Sequence, residues 1–125
     1  MMSDRNVIAI VDDDEACLAA ISSLVNALGY CTRGFEDPAE FLASDMLRNV
    51  RGLIADIRLP GMSGVLLHDT LVKCGILLPT MLMTAYPDDA TRAHVLRQGV
   101  SAYVSKPVSP DDLLTFLQAA FAQEP

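Results

Sequence analysis

Apolar and polar positions follow two alternating rhythms along this chain. Val7-Ile8-Ala9-Ile10-Val11 is an unbroken apolar run rich in β-branched residues, which predicts a strand buried on both faces. Behind it Leu18, Ile21, Leu24, Val25 and Leu28 recur at steps of three and four, the spacing of a helix with one apolar stripe, and Gly29 stops it. The exchange then repeats. Tyr30 to Phe35 is a weaker strand, expected nearer a sheet edge. Asp37-Pro38-Ala39-Glu40 offers an N-cap, a proline at the first helical position and a glutamate at the third. It predicts a helix to about Arg48 that buries Phe41, Leu42 and Leu47. Arg51 to Asp56 is the third strand, and Val65 to Cys74 the third helix, stopped by Gly75. The segment from Leu77 to Thr84 contains the fourth strand. Pro79 must lie near its start, because a proline inside a central strand forfeits a ladder bond. Pro87, Asp88 and Asp89 open a fourth helix running to about Gln98, and Ser101 to Val104 is a short fifth strand. Ser109-Pro110-Asp111-Asp112 starts the last helix, apolar at Leu113, Leu114, Phe116, Leu117, Ala120 and Phe121.

Alternation of this kind predicts an α/β fold: one parallel sheet with right-handed crossovers and helices on both faces. The 125 residues favour a single domain, and 51% apolar content argues against disorder. No apolar run approaches the roughly 18 residues of a membrane span. The polar stretch 1–6 has no signal-peptide core, so a soluble cytoplasmic protein is expected. The net charge of −7, with the basic residues scattered, argues against nucleic-acid binding by this chain. Cys17, Cys31 and Cys74 are odd in number and lack metal-like spacing, so they are expected to be buried, reduced thiols.

The chemistry lies at the strand ends. In a doubly wound sheet, the residues that leave the carboxyl ends of the strands meet in one crevice. Asp12 and Asp13 follow the first strand, Asp56 ends the third, Thr84 ends the fourth and Lys106 follows the fifth. Each has an ordinary explanation alone: a helix cap, a turn residue, a structural threonine, a solvated lysine. Their coincidence at successive strand ends favours a site. Three carboxylates in one crevice repel each other and need compensating cations. Lys106 offsets one, and a hard divalent ion suits an all-oxygen set, Mg2+ better than Ca2+ in a small open cluster. Such a site can accept a phosphoryl group. Asp56 would be the in-line nucleophile forming an acyl phosphate, with the metal, Lys106 and the Thr84 hydroxyl stabilising the phosphoryl oxygens.

From Val7 to about Phe121 the chain resembles the receiver domains of response regulators, the CheY-like family of two-component signalling. The resemblance rests on Val11-Asp12-Asp13-Asp14, on Asp56-Ile57-Arg58-Leu59-Pro60-Gly61-Met62-Ser63-Gly64, on Met83-Thr84-Ala85 and on Ala102-Tyr103-Val104-Ser105-Lys106-Pro107. It implies a flavodoxin-like five-stranded sheet of order 2-1-3-4-5 with five helices, in one receiver domain spanning 1–125 with a core of about 6–122. It also implies a phosphoacceptor, Asp56, served by a sensor histidine kinase or phosphotransfer protein, and not an enzyme. By the same resemblance Asp12, Asp13, Asp56 and the backbone carbonyl of Arg58 hold Mg2+, with Asp13 the more direct ligand. Thr84 and Tyr103 form a switch pair in which Thr84 moves toward the phosphoryl group and Tyr103 turns inward. A plainer role for Tyr103 is a half-buried aromatic packed on the fourth helix. Ala85 leaves the acceptor accessible, and the Lys106–Pro107 bond is cis. The fourth helix, fifth strand and fifth helix form the output face, which controls a downstream protein or covalent output domain and offers a phosphorylation-dependent homodimer contact. Arg58 and Tyr86, each two residues past a key residue, are expected to govern phosphoryl lifetime by screening the adduct from water.

The loop style is most similar to receivers of FixJ/NarL-like regulators, in which a helix-turn-helix domain follows. The chain stops soon after the fifth helix, at Gln123-Glu124-Pro125, which leans toward a stand-alone receiver over one excised from a longer protein. Three rivals are weaker. A phosphatase of the haloacid-dehalogenase type would show Asp-x-Asp after its first strand, and here the aspartates are adjacent. A phosphorylation-independent interaction module would not need the complete set of phosphorylation residues. A dinucleotide-binding protein would carry G-x-G-x-x-G. His68 and His94 are expected on helix surfaces or faces, away from the strand ends.

Overall fold

The computed structural model describes residues 7–122; the stretches 1–6 and 123–125 lie outside it. Five strands and five helices alternate: β1 (Val7–Val11), α1 (Glu15–Ala27), β2 (Cys31–Phe35), α2 (Pro38–Ala43), β3 (Gly52–Asp56), α3 (Gly64–Lys73), β4 (Thr80–Thr84), α4 (Asp89–Arg97), β5 (Ala102–Ser105) and α5 (Pro110–Ala122). The strands form one parallel sheet in the order β2-β1-β3-β4-β5. β1, β3 and β4 are buried throughout, as unbroken apolar runs require. β2 is an edge strand with its middle exposed, as its weaker pattern predicts.

Successive side chains of each strand feed two cores. Val7, Ala9, Val11, Leu53, Ala55, Leu82 and Tyr103 pack with Phe41, Leu67, Leu71 and Val95 from α2, α3 and α4. On the other face, Ile8, Ile10, Ile54, Met81 and Met83 pack with Ile21 and Val25 of α1 and with Leu113, Phe116 and Leu117 of α5. Register aligns the strand ends: Val11 lies beside Ala55, Asp56 beside Met83, and Thr84 beside Ser105. The polar residues that follow therefore emerge at one rim.

The helix starts follow their caps. Asp37 accepts the Ala39 N–H at 2.8 Å with Pro38 as the first helical residue, and the Ser109 hydroxyl accepts the Asp112 N–H at 3.0 Å. Three expectations are corrected. α2 ends at Ala43 and not near Arg48: Ser44 takes an extended backbone (φ −79°, ψ 154°), and a separate turn follows. In that turn Asn49 and Val50 both donate to the Met46 carbonyl, at 2.9 and 3.2 Å, and Met46 and Val50 are buried while Leu47 is only partly so. Serine and aspartate in sequence compete with helical bonding, and the turn carries Met46 and Val50 into the core. His68 is buried at 5% exposure, on the face of α3 that also carries Leu71, while His94 is exposed. The three cysteines are free, but Cys74 is exposed at the end of α3, and Cys17 and Cys31 are only partly buried. No helix among the described residues is long and apolar enough to cross a membrane.

Candidate phosphorylation site

The turn after β1 divides its three aspartates between two tasks. Asp14 caps α1, its side chain accepting the N–H groups of Ala16 and Cys17 at 3.0 and 3.2 Å. That leaves Asp12 and Asp13 for the crevice. Asp12 is fully buried, and one of its oxygens accepts the Asp14 N–H at 2.9 Å. Asp13 is exposed, and no hydrogen bond or ion pair engages it among the described residues. Asp56, also buried, accepts the Arg58 N–H through Oδ1 at 3.0 Å.

Lys106 joins the two buried carboxylates. Its Nζ lies 3.0 Å from Asp12 Oδ2 and 2.6 Å from Asp56 Oδ2. Burial alone would lower the lysine pKa, but the hydrogen bonds and charges of Asp56 and Asp12 outweigh it and move the net value up. The geometry thus holds a cation between the two carboxylates. The Lys106 N–H donates to the Thr84 carbonyl at 2.8 Å, and the next peptide, to Pro107, is cis as expected. Carboxylate oxygens of Asp12, Asp13 and Asp56 all lie within 4.8 Å of one another. An all-oxygen donor set with one open, unpaired carboxylate fits a hard divalent cation such as Mg2+.

Of the remaining predicted residues, Thr84, Arg58 and Tyr86 lie at the same rim of the sheet. Thr84 is buried at the end of β4, and its hydroxyl accepts the Tyr86 N–H at 3.0 Å. Arg58 and Tyr86 meet at the rim: the guanidinium carbon sits 5.0 Å from the centroid of the exposed tyrosine ring. Tyr103 stands apart, buried in the core beneath α4 at 3% exposure, more deeply than the half-buried packing role foresees. It already faces inward, where the resemblance implied an inward turn on phosphorylation, and its hydroxyl accepts the Asp88 N–H at 3.1 Å.

Two residues near the crevice have a place there that the sequence reading did not assign. The Cys17 thiol is pushed up to about 11 by burial first and then by Asp12, which keeps it protonated and unreactive. Its position in the first turn of α1, just after the aspartates, was the available signal. Gly64 is the other. A Cβ there would stand 2.5 Å from the Asp56 carbonyl oxygen, a backbone atom that cannot swing away. The Gly64 N–H donates to the Ile57 carbonyl at 2.8 Å, so the loop folds tightly back against the end of β3.

Comparison with known proteins agrees with this geometry. The response regulator receiver domain family matches residues 8–118. The chain belongs to that family. It is therefore a receiver domain of the two-component type, with the CheY-like, flavodoxin-like fold. It is 35% identical over 126 aligned positions to the response regulator protein TodT of Pseudomonas putida, covering 99% of this chain and 55% of that protein. The chain thus spans about half the length of such curated relatives. The crystal structure of FixJ-N superposes with a TM-score of 0.84 at 25% identity, covering 99% of this receiver and 98% of that chain. A response regulator receiver protein from Pseudoalteromonas atlantica gives a TM-score of 0.84 at 26% identity, covering 93% and 97% respectively.

Proposed function

We propose that Asp56 accepts a phosphoryl group from the phosphohistidine of a sensor histidine kinase or phosphotransfer protein. The observation that carries this reading is Lys106 Nζ held against both Asp12 and Asp56, with the open Asp13 carboxylate beside them. An Asp56 carboxylate oxygen attacks phosphorus in line as the phosphorus–nitrogen bond breaks, and the departing imidazole nitrogen takes that bond's electron pair. Lys106, already protonated, follows the charge from the carboxylate to the phosphoryl oxygens without a proton changing hands. Asp12, Asp13, Asp56 and the Arg58 backbone carbonyl would hold Mg2+, which when bound supplies further positive charge to those oxygens. The domain, 1–125 with its core at about 6–122, then serves as a phosphoacceptor that assists its own phosphorylation and dephosphorylation, and not as a turnover enzyme.

Thr84 and Tyr103 are the switch pair in this reading. The Thr84 hydroxyl keeps its proton free to donate while accepting from Tyr86, so it can turn toward a phosphoryl oxygen. The α4–β5–α5 face would pass the change to a downstream protein, a covalent output domain or a second copy of the chain. The Arg58–Tyr86 stack supports a role for both in adduct lifetime, since each side chain holds the other beside the rim.

The test is intact mass after incubation with acetyl phosphate, with and without Mg2+, for the wild type and Asp56→Asn. A single Mg2+-dependent phosphoryl adduct, labile to base and lost in the variant, is the expected result. No adduct in any condition would overturn the reading and favour an interaction module that works without phosphorylation.

A further inference from the structure

α4 is held to the fold by less buried apolar surface than the other helices. Of its residues only Val95 is buried, whereas α5 buries Leu113, Phe116, Leu117 and Ala120. What α4 lacks in apolar grip it replaces at one residue of the edge strand β5. The Arg92 guanidinium lies 4.8 Å from the centroid of the Tyr103 ring, and its Nη1 donates to the Tyr103 carbonyl at 3.0 Å. The same tyrosine accepts the Asp88 N–H through its hydroxyl, at 3.1 Å. Asp88 is in turn the N-cap of α4, accepting both the N–H and the hydroxyl of Thr91, at 2.8 and 2.7 Å. The first turn of the helix therefore grips Tyr103 at its ring, its backbone and its hydroxyl.

We propose that Arg92 is a positioning residue that clamps Tyr103 inward, and that this clamp sets the placement of α4 against β5. The chemistry suits the task. A planar guanidinium can stack on an aromatic face and still direct an N–H at the carbonyl beneath, which a lysine ammonium cannot do in the same geometry. The bond to the carbonyl is charge-assisted, and so stronger than a neutral one. Because Arg92 itself is exposed, the clamp can open without exposing a core side chain of α4 other than Val95. Releasing Arg92 frees the ring, removes the hydroxyl partner of the α4 cap and loosens the helix at its first turn. Arg92 thereby sets how readily α4 loosens when Tyr103 moves in the switch proposed above. That consequence rests on the function proposed above; the clamp itself does not.

The test is residue-resolved amide hydrogen exchange by NMR on the full chain, without phosphodonor, for the wild type, Arg92→Ala and Arg92→Lys. The Tyr103 ring signals and their contacts to the Asp88 amide are recorded in parallel. Arg92→Ala is expected to speed exchange at Asp88 and along α4 on the order of tenfold, given the loss of a hydrogen bond from a charged group. The ring signals shift toward a solvent-exposed environment, and α1 and α5 keep their protection. Arg92→Lys, with charge but no planar stack, falls between the two. Unchanged Asp88 exchange and unchanged ring signals in Arg92→Ala would overturn the clamp. So would faster exchange spread evenly over α1, α4 and α5, which would mean a general loss of stability. Intact mass on the wild type keeps the two readings apart: failure to take up phosphoryl refutes the role of Asp56, while the exchange result decides the clamp either way.

Discussion

Replacing Lys106 with methionine tests the electrostatic logic of the crevice directly. The side chain keeps a similar length, but the ion pairs at 3.0 and 2.6 Å to Asp12 and Asp56 are gone. Two buried carboxylates then face each other without a cation. Removing one partner of a buried pair costs about 3–5 kcal/mol. The Asp12 side chain is fully buried, while those of Lys106 and Asp56 keep 18% and 12% exposure. That residual access to water screens part of the interaction, and the expected loss is about 2–4 kcal/mol at neutral pH. At about 4 °C per kcal/mol for a domain of this size, the melting temperature falls by about 8–16 °C.

The assay is urea and thermal unfolding in a chelator at pH 7, repeated with Mg2+. Two further outcomes follow from the same reasoning. Mg2+ should stabilise the variant more than the wild type, because it replaces the missing cation in a site that has become more negative. Adding Asp56→Asn to Lys106→Met should recover much of the loss, because only Asp12 then remains charged in the buried pair. A loss below about 0.5 kcal/mol, the range of an ordinary surface substitution, would refute the reasoning. An Mg2+ response no larger than that of the wild type would do the same.

Gly64→Ala places a Cβ 2.5 Å from the Asp56 carbonyl oxygen. It should cost about 1–3 kcal/mol as the loop shifts, and should slow phosphoryl uptake; unchanged unfolding and uptake would show that the loop adjusts freely. Burial holds His68 below its ordinary value of 6.5, with Asp69 opposing only in part. Between that lowered value and 6.5 the unfolded chain binds more protons, so stability is complete above pH 6.5 and declines as pH falls below it. The slope is at most about 1.4 kcal/mol per pH unit; urea titrations from pH 7.5 to 5 should show a shallower decline in His68→Gln, and an identical one would reject the assignment. Arg58→Ala and Tyr86→Ala should each hasten adduct loss by about two- to fivefold, with a coupling of about 0.5–1 kcal/mol in the double variant, the worth of an exposed cation–π pair. Hydrolysis no faster in either single variant would remove both from the control of lifetime.

The sequence was most legible where burial is two-sided and where topology alone places a residue. β1, β3 and β4 are buried at every position, so their apolar runs could hardly be misread, and their parallel order carries Asp12, Asp56 and Thr84 to one rim. The end of α2 was not legible in the same way. Leu47 continues the helical spacing, yet Ser44 leaves the helix and Met46 enters the core instead. His68 could have been found, since it stands three residues before the buried Leu71 and so shares its face. Arg92–Tyr103 and Arg58–Tyr86 belong to a different class. A guanidinium over an aromatic ring joins two residues with no shared periodicity and no fixed separation, so no pattern along the chain announces it. Each pair depends on how a loop or a first helical turn settles on its neighbour. The apolar runs thus account for the position of Asp56, the proposed acceptor, whereas the contacts proposed to govern the lifetime and reach of its signal are side-chain pairings that only the assembled fold creates.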